Sequence, residues 1–170
     1  PFLDLTPYSL EEKESKTLEA IEKKEPLIYR GRISADDLLG EPDLLRLDED
    51  GYVAGDIKSG AGEEGVADDR RPKKHYAVQL ALYTDILERK GLSRKREPFV
   101  WDIHGDEVTY ELDELTGKRN PTTLWNIYQG TLDEARRNIS NPENSSPAYS
   151  SICKLCHWRT ECMKTLERSD

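Results

Sequence analysis

Residues 40–58 read Gly40-Glu41-Pro42-Asp43-Leu44-Leu45-Arg46-Leu47-Asp48-Glu49-Asp50-Gly51-Tyr52-Val53-Ala54-Gly55-Asp56-Ile57-Lys58. Two short runs of strand-like composition, 42–47 and 52–58, flank the turn signal Asp48-Glu49-Asp50-Gly51, which predicts an antiparallel hairpin. Side chains alternate along a strand, so Asp56 and Lys58 share a face, and the hairpin brings Asp43 beside them. Two carboxylates and one ammonium are therefore expected at one end of a sheet.

Working outward, residues 27–34 read as one more strand before this hairpin. Residues 9–24 read as a helix: Ser9 is an N-cap with Glu12 three positions on, and Pro26 closes the segment. After the hairpin, residues 59–73 are Gly-rich and charged without apolar periodicity, the pattern of a long mobile loop. Residues 75–90 form the clearest helix, with Tyr76, Gln79, Leu80, Tyr83, Ile86 and Leu87 on or near one face and Gly91 ending it. A second hairpin follows, 98–103 with 108–112 around His104-Gly105-Asp106, and then a helix over 122–139. The Asn/Pro/Ser-rich stretch 140–151 leads to a small C-terminal cysteine module. This order predicts an α/β (α+β) core with a central mixed sheet flanked by helices. The expected division is residues 1–140 as the core, with 141–170 as a linker and cysteine cluster packing back on it.

Composition bounds the reading. The chain has 170 residues, 35% apolar and 35% charged, enough for one domain with a compact core and well-solvated surroundings. It contains no 18-residue apolar run and no signal-peptide pattern, so a soluble cytoplasmic protein is expected. It starts at Pro1 inside the apolar run Pro1-Phe2-Leu3-Asp4-Leu5, which reads as an excised piece of a longer chain. The net charge of −9 argues against a uniformly phosphate-binding surface. Acids dominate residues 36–69, whereas bases cluster at Arg70-Arg71-Pro72-Lys73-Lys74, at Arg89-Lys90 and at Arg94-Lys95-Arg96. Such patches are either solvated faces or places where a polyanion docks beside an acidic pocket.

The acids and the lysine suit one chemistry. Phosphodiester hydrolysis needs a cation to neutralise developing charge, an activated water, and a group that orients that water. Mg²⁺ or Mn²⁺ prefers hard oxygen ligands and retains several waters, so Asp43, Asp56 and the Ile57 carbonyl are candidate ligands. Lys58 is the candidate for positioning or deprotonating the water. The competing reading leaves Asp43 in a turn and Asp56 with Lys58 as a surface pair. Glu14 falls in the middle of the helical face formed by Leu10, Thr17, Leu18 and Ile21. It is either a further metal ligand or a side chain that snorkels to the helix edge.

Pro42-Asp43, then Asp56-Ile57-Lys58, then Gln79-Leu80-Ala81-Leu82-Tyr83 on a helix resemble the PD-(D/E)XK nuclease superfamily, in its RecB-like branch and the related CRISPR-adaptation exonucleases. The resemblance implies a restriction-endonuclease-like core and metal-dependent cleavage of DNA, on single strands or at ends. It also implies that the domain belongs to a larger DNA-processing protein, with a helicase or other domain in the same chain. Gln79 and Tyr83 lie four apart and reach one site together. In the families resembled, these side chains bind the substrate strand and support the metal site. Those families usually place a further metal ligand, often His, on the first helix, but no His precedes Asp43 here. Glu14, or a residue upstream of Pro1, is the expected substitute.

Cys153-x2-Cys156-x5-Cys162 contains every cysteine of the chain, with His157, Trp158 and Arg159 between. In a reducing compartment this spacing favours a metal centre over a disulfide, although three thiolates are one short of the usual four. The resemblance implies a structural [4Fe–4S] cluster whose fourth cysteine lies upstream of Pro1. Alternatives are a Cys₃His zinc site using His157, strained by its adjacency to Cys156, and a cluster without metal. His75 is read as a phosphate contact or a surface residue, and His104 as a surface residue. Two functional rivals stay open: a nuclease-fold module that grips DNA or protein without cutting, and a zinc-bound interaction domain.

Overall fold

A computed structural model of the protein describes residues 2–66, 70–117 and 119–169. The chain divides into two compact units, Pro1–Gly130 and Thr131–Asp170.

The first unit opens with strand β1 (Leu3–Asp4) and helix α1 (Leu10–Glu22). Ser9 caps α1 in a reciprocal capping box: its hydroxyl accepts from the Glu12 N–H while the Glu12 carboxylate accepts from the Ser9 N–H. Strands β2 (Leu27–Tyr29), β3 (Ile33–Ala35), β4 (Leu38–Gly40), β5 (Leu44–Asp48) and β6 (Gly51–Ile57) follow. After β7 (Glu63–Glu64) and β8 (Arg71–Pro72) come helix α2 (Lys74–Arg89), then β9 (Phe99–Trp101), β10 (Glu107–Thr109), β11 (Leu115–Thr116) and β12 (Thr122–Thr123). Helix α3 (Leu124–Ser140) runs across the unit boundary.

Six strands form the central sheet in the order β1-β2-β5-β6-β9-β10. β1 with β2 and β6 with β9 are parallel, and the other neighbours are antiparallel. α2 is the crossover that the parallel pair β6–β9 requires. This mixed α/β arrangement is the restriction-endonuclease-like architecture.

The 27–34 run departs from the single strand expected of it. Arg30 adopts φ 60°, a left-handed conformation rare for a residue with a side chain, and this breaks the run into β2 and β3. β3 then forms its own hairpin with β4, a strand the sequence pattern did not reveal. Residues 59–73 likewise hold a short ladder, β7 against β8, where a loop without structure was expected; residues 67–69 of that stretch lie outside the described residues.

Ile28, Leu45 and Val100 on one sheet face are fully buried, as are Leu80, Ile86 and Leu87 of α2. Removing a buried leucine such as Leu80 to the β-carbon costs about 2–5 kcal/mol. Thr17 of α1 is also completely buried; its hydroxyl donates to the Lys13 carbonyl and accepts the Arg32 N–H, which ties α1 to the start of β3. On the other face Leu44, Val53 and Phe99 pack with Leu27, Tyr29 and Trp101. Gly55 is required there, because a β-carbon would stand 2.4 Å from the Phe99 ring.

The second unit contains the end of α3, short 3-10 turns at Pro142–Asn144 and Ser151–Leu155, and helix α4 (Arg159–Ser169). Among the described residues, no helix is long and apolar enough to cross a membrane.

Candidate active site

The register of the 44–57 hairpin fixes the centre of the site. Leu44 stands opposite Gly55 in the β5–β6 ladder, so Asp43, just before β5, stands opposite Asp56. Their carboxyl groups are hydrogen-bonded to each other, and both accept the N–H of Ile57, at 2.9 Å for Asp43 Oδ2 and 3.0 Å for Asp56 Oδ1. Asp56 is only 4% exposed. Its Oδ2 lies 2.5 Å from Lys58 Nζ as an ion pair but has no partner in hydrogen-bonding geometry.

The two acids respond in opposite directions to this crowding. Burial first, and then the hydrogen bond and charge of Asp43, push the Asp56 carboxyl up to about 6, with Lys58 opposing the rise. Asp43 is also penalised by burial. The hydrogen bonds from Asp56 and the Ile57 N–H, with Arg30 and Lys58 nearby, hold it below the usual carboxylate range. The pair is thus arranged to share one proton, the behaviour of two like charges that cannot both ionise cheaply in one buried place.

A chain of side chains holds Lys58. Its Nζ donates to Gln79 Oε1 at 2.7 Å, Gln79 Nε2 donates to Tyr83 Oη at 2.8 Å, and Tyr83 Oη faces the Glu41 carbonyl at 3.4 Å. Gln79 and Tyr83 can do this because they are one helical turn apart on α2. Gly40 makes room for the tyrosine, since a β-carbon there would stand 2.6 Å from its ring. Burial also raises the Tyr83 hydroxyl pKa, so it stays protonated and able to donate.

Asp43, Asp56, Lys58, Gln79 and Tyr83 therefore lie in one connected network. Glu14 engages the Ser34 hydroxyl beside the β3–β4 hairpin, so its place on the apolar face of α1 is compensated by a hydrogen bond. Among the described residues, no group of three or more His, Cys, Asp or Glu side chains is placed to hold a metal ion, so Glu14 is not gathered with the two aspartates.

Arg30 completes the site and was not singled out from the sequence. Its guanidinium lies 3.0 Å from Asp43 Oδ1, and its N–H donates to the Asp43 carbonyl at 2.8 Å. The signal was available in the antiparallel pairing of β2 with β5, which sets Tyr29 opposite Leu44 and hence Arg30 opposite Asp43. It was hidden by reading 27–34 as one strand.

The model of the PD-(D/E)XK nuclease superfamily matches residues 5–163. The chain belongs to that superfamily. Comparison with curated proteins returned no match. Nucleases of this superfamily typically use Mg²⁺ or Mn²⁺, and the donors at hand fit such an ion. Two carboxylates are pressed together in one buried place, and Mg²⁺ needs only one or two carboxylates when waters and substrate phosphate fill its other positions.

A cavity of about 440 Å³ elsewhere on the first unit does not include these residues. Glu63, Glu64, Asp102, Asp106 and Glu107 line it together with Arg70, and Glu64 and Glu107 are paired with Arg71 and Arg46. His104 also lines it, and His75 packs edgewise against Tyr76 with ring centroids 4.4 Å apart.

In the second unit, Cys153, Cys156 and Cys162 are free thiols. Cys153 Sγ accepts the Ser150 N–H and donates to the Ala148 carbonyl, and the Ser150 contacts lower its thiol pKa. The three sulfurs and His157 do not converge as a ligand group.

Proposed function

We propose that this domain is a metal-dependent nuclease that hydrolyses DNA phosphodiester bonds on single strands or at ends, as part of a larger DNA-processing protein. The observation that carries this reading is the buried Asp43–Asp56 pair beside a lysine locked by Gln79 and Tyr83. A structural carboxylate buried this deeply is normally kept away from other acids, whereas Asp56 is pressed against Asp43 with Lys58 as its only ion-pair partner among the described residues. The order of Pro42-Asp43, Asp56-Ile57-Lys58 and Gln79 with Tyr83 supports the RecB-like branch. With a net charge of −9 the domain is a poor DNA binder by bulk electrostatics, which favours help from other domains, such as a helicase.

Asp43 and Asp56, with the Ile57 carbonyl, would hold Mg²⁺ or Mn²⁺, which when bound stabilises charge on the scissile phosphate and acidifies a bound water. The protein groups do the rest. To hold the ion, Asp43 and Asp56 would both have to be ionised, the proton of the pair being released to solvent. Lys58, kept in place by Gln79, presents its ammonium where it orients the attacking water and offsets charge on the phosphate. Tyr83 keeps the Gln79 amide in the one orientation that offers Oε1 to the lysine. Arg30 pairs with Asp43 and is free to turn to a phosphate once the cation takes its place.

The test is cleavage of end-labelled single-stranded, blunt double-stranded and circular DNA with Mg²⁺ or Mn²⁺. Metal-dependent shortening of the linear substrates, abolished in Asp56→Asn, is the expected result. Equal behaviour of wild type and variant overturns the reading. A second reading, a nuclease fold that binds DNA without cutting, draws on one observation: each aspartate already has a cationic partner, Arg30 or Lys58, and no third acid joins them. Tight binding without cleavage in the same assay selects it.

For residues 141–170 we propose a structural [4Fe–4S] cluster, supported by the Cys153-x2-Cys156-x5-Cys162 spacing. Cluster assembly requires the Cys153 sulfur to leave Ser150 and Ala148, and a fourth ligand. Iron and sulfide analysis of anaerobically purified protein separates it from a zinc site.

A further inference from the structure

The basic run 70–74 is not uniform. Arg71 is paired with Glu64, Arg70 lines the acidic cavity, and Lys74 is exposed on the first turn of α2. Lys73 alone is half-buried and aimed toward the site. Its Nζ stands 5.1 Å from the centre of the Tyr76 ring, and Lys58 Nζ stands 5.0 Å from the same centre. The two ammoniums are therefore no more than about 10 Å apart. Lys73 Nζ also lies 3.7 Å from where a β-carbon on Gly60 would stand, two residues beyond Lys58.

Lys58 is committed to Asp56 and Gln79. Lys73 has no carboxylate partner among the described residues. Its backbone is nonetheless anchored: the Lys73 carbonyl accepts the Ala77 N–H at 3.0 Å as α2 begins, and the preceding Pro72 is paired with Glu63 in the β7–β8 ladder. A lysine that serves only solubility needs neither a fixed backbone nor an aromatic face under its ammonium.

We propose that Lys73 is a substrate-binding residue. Its ammonium takes a phosphate of the DNA strand within three nucleotides of the one at Lys58, given about 3.4 Å of rise per nucleotide along a strand. Tyr76 is the positioning residue that holds Lys73 through its ring face. This inference rests on the nuclease reading above and adds a strand-gripping contact to it. The pre-set geometry lowers the ordering cost of binding.

The experiment is steady-state cleavage of a labelled single-stranded oligonucleotide, with salt-dependent binding measured in the Asp56→Asn background. Lys73→Gln is expected to raise KM about fivefold while kcat changes less than twofold. It should also reduce the log–log salt slope of binding by about 0.7, the value for one phosphate contact on a single strand. Tyr76→Phe keeps the ring and should leave KM near wild type, whereas Tyr76→Leu should reproduce the Lys73→Gln defect. Lys74→Gln, an exposed neighbour, should leave KM unchanged. Unaltered KM and salt slope in Lys73→Gln, or an equal defect in Lys74→Gln, overturns the proposal while cleavage by wild type upholds the nuclease reading. Absence of cleavage by wild type with either metal defeats that reading instead.

Discussion

Helix α2 carries one buried aspartate, Asp85, and packs against the strand that carries another, Asp56, and the two are treated in opposite ways. Asp85, 7% exposed, receives the Tyr128 hydroxyl at 2.7 Å and two guanidinium nitrogens of Arg89 at 2.8 and 3.2 Å, and Arg89 reaches on to Asp36. Both of its oxygens are hydrogen-bonded. Asp56 is as deeply buried but shares its surroundings with a second acid, Asp43, and among the described residues pairs with a single cation, Lys58. The difference separates a charge placed for stability from one placed for chemistry: the first is fully paired, and the second is held in a state that a cation would relieve.

The comparison breaks first at Asp56. Asp56→Asn should lower cleavage by about a thousandfold or more, because the cation loses a ligand, yet leave the urea midpoint unchanged or raised, since a strained buried charge is removed. A large fall in stability would make Asp56 a structural residue like Asp85. Asp85→Ala should do the converse, costing about 3 kcal/mol of stability by orphaning the Tyr128 hydroxyl and leaving Arg89 with Asp36 alone. Its cleavage rate per folded molecule should stay within a few-fold of wild type; denaturant melts paired with active-site titration measure both.

A third effect depends on pH. The Asp56 carboxyl, raised to about 6, binds its proton more tightly folded than unfolded. Its contribution to stability is therefore complete below about pH 4 and is lost as pH rises through about 6. Metal competes with that proton. Saturating Mg²⁺, worth about 2.7 kcal/mol at a hundredfold excess over its Kd, should raise the thermal midpoint more at pH 8 than at pH 5. Equal shifts at the two pH values would remove Asp56 from the metal site. The smallest effect is expected for Tyr83→Phe, which frees the Gln79 amide to rotate away from Lys58. Cleavage should fall about tenfold, with less than about 1 kcal/mol lost in stability.

Much of this was readable before any coordinates. The hairpin of 44–57 follows from alternation and a turn signal, and it places Asp43 opposite Asp56 without knowledge of the rest of the chain. Helix α2 follows from apolar spacing, which also puts Gln79 and Tyr83 on one face, and the Ser9 capping box is a local pattern. What stayed hidden depended on distant partners. The break at Arg30 is set by its bonds to Asp43, thirteen positions away in the chain, and no propensity scale signals a left-handed arginine. Glu14 has the helical phase of a ligand, but phase does not say which element lies opposite; in the fold its carboxylate engages the Ser34 hydroxyl.

Sequence by itself determined the 44–57 hairpin, the helix faces and hence that Asp43 meets Asp56 and that Gln79 and Tyr83 share a face, because these are set by short-range periodicity and turn chemistry. Only the tertiary structure decided their charge states and allegiances: that Asp56 is desolvated beside a second acid, that Arg30 joins Asp43, and that Lys73 shares an aromatic ring with Lys58. Desolvation and ion pairing depend on what is packed within a few ångströms in space, and that neighbourhood is assembled from segments far apart along the chain.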